Sequence, residues 1–205
     1  SGIDSPESLV QLFLVGYMPE HYRLGSYIAV VDAQYGLLNM DEYDVAVRQI
    51  AFADAVIVNK IDLADGETVK QLERRIGSVN AMAKIYRASY GRTPLENILE
   101  IPLYQQLKDL TAKERAGTVD EIQSVVLVEK RPMNKERVNA WITRLFEQDG
   151  PKILRSKGFF CFAGEDWRYE FQGVRKSFHS KAEQLWGPDE ERKSTVVLIG
   201  EHLPD

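Results

Sequence analysis

Cysteine is nearly missing from this chain of 205 residues: Cys161 stands alone. A single thiol excludes an internal disulfide, so this is no disulfide-stapled secreted scaffold, and a reducing compartment suits it. Long apolar runs are missing as well. The richest early stretch, Leu9 to Met18, is broken by Gln11 and Gly16 and falls short of the ~20 apolar residues of a spanning helix. Ser1 to Ser8 carries no positive charge, unlike the start of a secretory signal. Lys and Arg number 26 against 31 Asp and Glu, a formal net charge of -5. The overall basic footprint of a nucleic-acid binder is therefore lacking. The three histidines, His21, His179 and His202, are too scattered to define a metal site. A cytoplasmic protein is expected, with neither nucleic acid nor membrane as partner.

What is present is an ordinary globular composition, 44% hydrophobic and 28% charged, which excludes a disordered or collagen-like chain. No internal repeat is visible. The first half alternates strands and helices. Asp4 to Glu7 resembles a helix start, followed by Leu9, Val10, Phe13, Leu14 and Tyr17 at helical spacing. Tyr27 to Val31, Ala55 to Val58 and Ala83 to Tyr86 are short apolar runs that read as strands. Glu42 to Ala53 and Glu67 to Ile76 read as helices, and another is expected to start at Pro94. Such alternation implies a parallel sheet with right-handed crossovers, whose ligands gather at the carboxyl ends of the strands.

Residues 103–120 are charged and weakly periodic and read as a linker, with a helix around Leu103 to Leu110. The remainder, 121–205, has a different rhythm. Ile122 to Val128 is a strand. Asn134 caps a helix with Val138, Trp141, Ile142, Leu145 and Phe146 on its inner face, ended by Gly150 and Pro151. Ile153 to Phe162 pairs with Arg168 to Val174, and Thr195 to Ile199 closes the pattern. One helix on a mostly antiparallel sheet makes an α+β domain. Cys161 is expected in its core. Arg155, Lys157, Arg168, Arg175, Lys176 and Lys181 are expected to form a solvated strand face.

The sharpest feature is Asn59-Lys60-Ile61-Asp62, directly after an apolar strand. Guanine presents two adjacent N–H donors, and one fixed carboxylate accepts both. Adenine has no such pair, and a site that demands a polar partner rejects analogues lacking it. Asp62 would set specificity, Asn59 would bond the Hoogsteen edge, and the Lys60 stem would lie over the ring. Asp32 and Ser89, at the ends of the first and third strands, read as ordinary turn residues.

Together these stretches resemble the CobW family of P-loop GTPases and metallochaperones. Ser1 to Pro6 resembles the segment after the family's Walker B strand. Gln49 to Asp54 followed by Asn59 to Asp62 resembles its guanine-recognition region. Ile153 to Gly158, Phe171 to Val174, Trp186-Gly187 and Val196 to Gly200 resemble its C-terminal domain. The resemblance spans essentially the whole chain. It implies a fold of two parts: 1–102, the remainder of a parallel-sheet GTPase domain, and 121–205, a smaller α+β domain. It implies GTP or GDP with Mg²⁺, Zn²⁺ or Co²⁺ as cargo, and a metal-requiring client protein as partner. It also puts the Gly2 N–H near the γ-phosphate.

Two family motifs have no counterpart here. No Gly-rich loop ends in Gly-Lys-Thr or Gly-Lys-Ser, and no Cys-x-Cys-Cys is present. Both would precede Ser1, so the chain is expected to be the carboxyl-terminal part of such a GTPase. Without the loop's N–H groups, its Lys and Mg²⁺, base binding is expected to be weak and hydrolysis by this chain alone absent. An exposed strand edge would invite self-association or complementation by the missing segment. The alternative is a protein-interaction module with no nucleotide function of its own.

Overall fold

The computed structural model describes residues 25–94 and 121–203, together with Pro6, His21, Glu96, Ile98, Leu99, Ile101, 103–108 and Leu110. Gly2 and the expected helix over Asp4 to Tyr17 lie outside the described residues, apart from Pro6. The chain divides into two compact units, Ser1–Pro102 and Leu103–Asp205.

In the first unit, β1 (Ile28–Asp32), β2 (Ala55–Asn59) and β3 (Lys84–Arg87) form a parallel sheet in the order β1-β2-β3. The central β2 is buried on both faces, which rewards its continuous β-branched sequence; β1 and β3 flank it and are only partly buried. Ala55, Ile57, Ala88 and Ile98 pack on one side, with Ile28 and Tyr86. On the other side run α1 (Gly36–Glu42), α2 (Asp44–Phe52) and α3 (Gly66–Val79). Val69, Leu72, Ile76 and Val79 are the buried stripe of α3. A Cβ at Gly36 would lie 2.8 Å from Val31 Cγ1 and 2.9 Å from Leu72 Cδ2. That close approach seats the start of α1 against strand and helix.

The helix expected over Glu42 to Ala53 is in fact two. Tyr43 is extended (φ -132, ψ 106) and separates α1 from α2. Of the helix expected from Pro94, Glu96 is in a 3₁₀ turn, Ile98 in a turn and Leu99 in a bend, and residues 95, 97 and 100 lie outside the described residues.

The second unit is a five-stranded sheet in the order β4-β8-β5-β6-β7, every pairing antiparallel. Its strands are β4 (Ile122–Glu129), β5 (Ile153–Cys161), β6 (Trp167–Val174), β7 (Ser177–Leu185) and β8 (Ser194–Glu201). α5 (Lys135–Gln148) lays Val138, Ile142 and Phe146 on Ile153, Phe160, Phe171, Val196 and Leu198. Each such side chain contributes about 1.5–3 kcal/mol by leaving water. Trp141 lies on the flank of α5 at 37% exposure and is not a core residue, because the buried positions 138, 142 and 146 centre the stripe elsewhere. A Cβ at Gly173 would meet Ser156 Oγ at 2.5 Å and Phe146 Cζ at 3.3 Å, so the bare position lets the Phe146 ring lie close to β6. α4 (Leu103–Leu107) packs against β5 and buries Leu103 and Leu107.

Asn134 caps α5 as expected, its Oδ1 accepting from Arg137 N at 2.9 Å. Asn134→Ala is expected to lower stability by about 1 kcal/mol, read from the midpoint of chemical unfolding.

Three members of the expected solvated basic face are buried: Arg155, Lys157 and Arg168. Every residue of β5 is buried, so the sheet face they share is interior. Arg168 reaches Glu183 at 3.3 Å and Glu190 at 3.1 Å, while Lys181 reaches Glu170 at 3.5 Å. Cys161 is buried, and burial pushes its thiol above the usual range, as befits an inert core residue.

Candidate guanine-recognition site

Parallel pairing puts the carboxyl ends of β1, β2 and β3 at one edge of the sheet. Asp32 is the register partner of Asn59. The loop after β3 is tied to the same end: Ala88 N donates to Val58 O at 2.9 Å, and Ile61 N donates to Ala88 O at 3.2 Å. Residues far apart in sequence thus meet where ligands of such sheets gather.

Asn59 ends β2. Its Oδ1 accepts from Gly91 N at 2.9 Å. A backbone N–H can meet only the oxygen of the amide, so the Nδ2 donors face away from that bond. The next residue, Lys60, is left-handed (φ 61, ψ 37). This turns the chain sharply out of the strand and into the 3₁₀ turn Ile61–Leu63, which carries Asp62. Asp62 is exposed. A second left-handed residue, Tyr90 (φ 56), sits between Ser89 and the pinned Gly91 and is 81% exposed.

Lys60 Nζ is 2.7 Å from Asp32 Oδ2. The other oxygen of Asp32 accepts from Gln34 N at 2.8 Å and Tyr35 N at 3.3 Å. Asp32 therefore caps its turn, as expected, and also holds the lysine. Partial burial opposes its charge, but Lys60 and the two N–H donors outweigh that and keep its carboxyl below the usual value. The hydrogen bond to Asp32 raises Lys60 in turn. The pair is then complete between the lowered value of Asp32 and the raised value of Lys60. It weakens as pH falls through the Asp32 value or rises through that of Lys60. With the lysine half-exposed, the pair fixes direction more than it stabilises.

The arrangement offers, within one short turn, an outward amide donor, an aliphatic stem braced at its tip, and an open carboxylate. Those groups match N7 and O6 acceptors, a ring face and paired N–H donors in turn. Sequence reasoning missed the brace and the Gly91 anchor. Both partners lie about thirty residues from the motif, and nothing local marks them.

Comparison with known proteins bears on this geometry. A family model described as "CobW/HypB/UreG, nucleotide-binding domain" matches residues 1–87, and "Cobalamin synthesis protein cobW C-terminal domain" matches 122–205. The chain belongs to the CobW family. This CobW-family chain is 29% identical over 211 residues to the zinc chaperone YjiA of Escherichia coli, covering 100% of this chain and 65% of that protein. It is 26% identical over 253 residues to zinc-regulated GTPase metalloprotein activator 1 of Saccharomyces cerevisiae, covering 99% and 58%. The crystal structure of Zn(II)-bound YjiA GTPase superposes with a TM-score of 0.80 at 29% identity, over 97% of this chain and 64% of that one. The chain thus spans just under two thirds of these relatives or less. The expected fold class holds for both parts: parallel α/β, then an antiparallel α+β unit. In the described residues, no helix is long and apolar enough to cross a membrane. Nor is any group of three or more His, Cys, Asp and Glu side chains placed to hold a metal ion among them.

Proposed function

We propose that this CobW-family chain reads the guanine of GTP or GDP as the carboxyl-terminal part of a GTP-dependent zinc chaperone. The observation that carries the reading is the Asn59 amide. Its oxygen is committed to Gly91 N, so its donors are left for N7 and O6, one residue before the Lys60 stem and three before Asp62. Asp62 accepts the N1 and N2 hydrogens of the base, and Lys60 covers one ring face. The names of the relatives support metal delivery to a client protein as the purpose of the nucleotide cycle. Zinc is the cargo in that cycle, and no described residue is assigned to it. The base contacts are what the described residues contribute to that cycle. Gly2, expected near the γ-phosphate, stays a proposal, as does pairing of the sheet edge with a second copy or a complementing segment.

Titration of the 205-residue chain with fluorescent GDP, ADP and xanthosine diphosphate tests the reading. GDP should bind and ADP should not. Asp62→Asn should weaken GDP about 10- to 100-fold, the worth of a charge-assisted bidentate pair. It should also favour xanthine, whose 2-oxo group accepts from the new amide. Absence of GDP binding up to millimolar concentration would move the chain to the interaction-module class.

A further inference from the structure

We infer that Asp32 is a positioning residue for base binding, which holds the Lys60 stem flat across the end of the sheet as the platform for the ring. The inference rests on the guanine reading above and extends it to a residue outside the recognition motif.

Three observations carry it. First, the Asp32 carboxylate cannot swing. Oδ1 is held by Gln34 N and Tyr35 N, which fixes the direction of Oδ2 toward Lys60. Second, the lysine starts from a left-handed backbone and ends at Nζ, 2.7 Å from Oδ2. Asp32 and Asn59 are register partners on neighbouring strands, so the stem has to cross from the end of β2 toward β1. Third, the Lys60 side chain remains 52% exposed along this path. A lysine stem tied at both ends yet open on its flank is a preorganised apolar strip. An untethered lysine would have to give up the freedom of several rotatable bonds when a ring settles on it. Asp32 removes that cost before the ligand arrives. Stacking on a stem is indifferent to the groups on the base edge, so Asp32 should raise affinity without choosing among purines. That separates its role from the role of Asp62.

Asp32→Asn is the discriminating variant. Its amide oxygen still accepts from Gln34 and Tyr35, so the turn is kept. Its NH₂ then faces the ammonium, so the brace is lost. In calorimetric titrations of the full chain, Asp32→Asn should weaken GDP and inosine diphosphate by the same factor, about three- to tenfold. Lys60→Met, at a half-exposed position, should do likewise, and the double variant should be no weaker than Lys60→Met. Lys60→Arg, which keeps the ion pair, should restore most of the affinity. A residue that merely supports the fold would instead show equal losses with Lys60 or Met at position 60.

GDP affinity unchanged in Asp32→Asn overturns the inference. So does a loss that persists undiminished in the Lys60→Met background. If Asp62→Asn weakens GDP and Asp32→Asn does not, only the positioning role falls. If the unaltered chain binds no GDP, the guanine reading falls and the positioning role falls with it.

Discussion

Asn80→Leu is expected to destabilise the first unit by about 4 kcal/mol, enough to unfold it near physiological temperature. Asn80 is buried at 1% exposure. Its Nδ2 donates to Ile50 O at 2.8 Å, Ala51 O at 3.2 Å and Ala53 O at 2.8 Å. Its Oδ1 accepts from Met82 N at 3.0 Å and Ala83 N at 3.1 Å. Its two Nδ2 hydrogens, one of them shared, and its one oxygen thus meet five backbone groups at the end of α2 and the approach to β3. Leucine matches its bulk and satisfies none of them. Ile50 O keeps Ala53 N as a donor at 3.1 Å; each group left without a partner costs about 1–3 kcal/mol, discounted because water can reach some of them after local relaxation.

The damage should spread to the candidate site. Ala53 leads directly into β2, the strand that carries Asn59. Asp54 Oδ2 there accepts from Tyr27 N at 2.8 Å, tying the start of β2 to the start of β1. Chemical unfolding followed by circular dichroism reads the effect, and a change under 1 kcal/mol would overturn it. Asn80→Asp is the informative companion. It keeps the acceptor for Met82 and Ala83 but turns a carboxylate toward three carbonyl oxygens. Its native-state pKa should rise, so this variant should be least impaired at low pH, where a protonated acid can donate again.

The second large effect is expected at Arg168. Its side chain is only 2% exposed and reaches Glu183 and Glu190. Its guanidinium carbon lies 5.6 Å from the centroid of the Trp186 ring, and Trp186 in turn meets Phe159 edge-on at 5.8 Å. Glu190 Oε2 also accepts from Gly187 N at 3.0 Å. One arginine therefore fastens β6 to β7 and to the Trp186-Gly187 turn. Arg168→Met keeps much of the bulk and removes the charge, leaving two facing carboxylates without their cation. A loss of about 3 kcal/mol is expected from the second unit. The triple variant with Glu183→Gln and Glu190→Gln should recover a large part, since the penalty lies in uncompensated charge rather than in a missing attraction. Arg168→Lys should recover less, because an ammonium cannot present the planar fork that serves two carboxylates. Tryptophan fluorescence suits the measurement, with Trp186 beside the altered group. A triple variant as unstable as Arg168→Met would show that packing, not charge, governs the site.

By itself the sequence determined the elements whose burial is regular. The runs ending at Val31, Val58 and Tyr86 became β1, β2 and β3, since apolar β-branched residues lose most by staying in water. The α5 stripe and its Asn134 cap were legible for the same local reasons, periodicity and a side chain that bonds the first turn. The place of Asn59 to Asp62 at a strand end was legible too, because the apolar run stops abruptly there.

The tertiary structure decided what has no local signature. β7 (SFHSKAEQL) has all nine residues exposed and no apolar alternation; pairing with β6 makes it a strand. α1 has no side-chain cap and no acid in its first turn; its start is seated instead where Gly36 approaches Val31 and Leu72. Arg155, Lys157 and Arg168 read as surface charge, yet the face they share is interior, and only the arrangement of strands could place them there. Asn80 carries no local signal, and only the fold closes three carbonyls and two N–H groups around it. Asp32 and Lys60 stand 28 positions apart and become a 2.7 Å ion pair because parallel register puts Asp32 beside Asn59. Local propensity acts over a turn or two of chain, whereas these contacts arise from the closure of long loops around a common core.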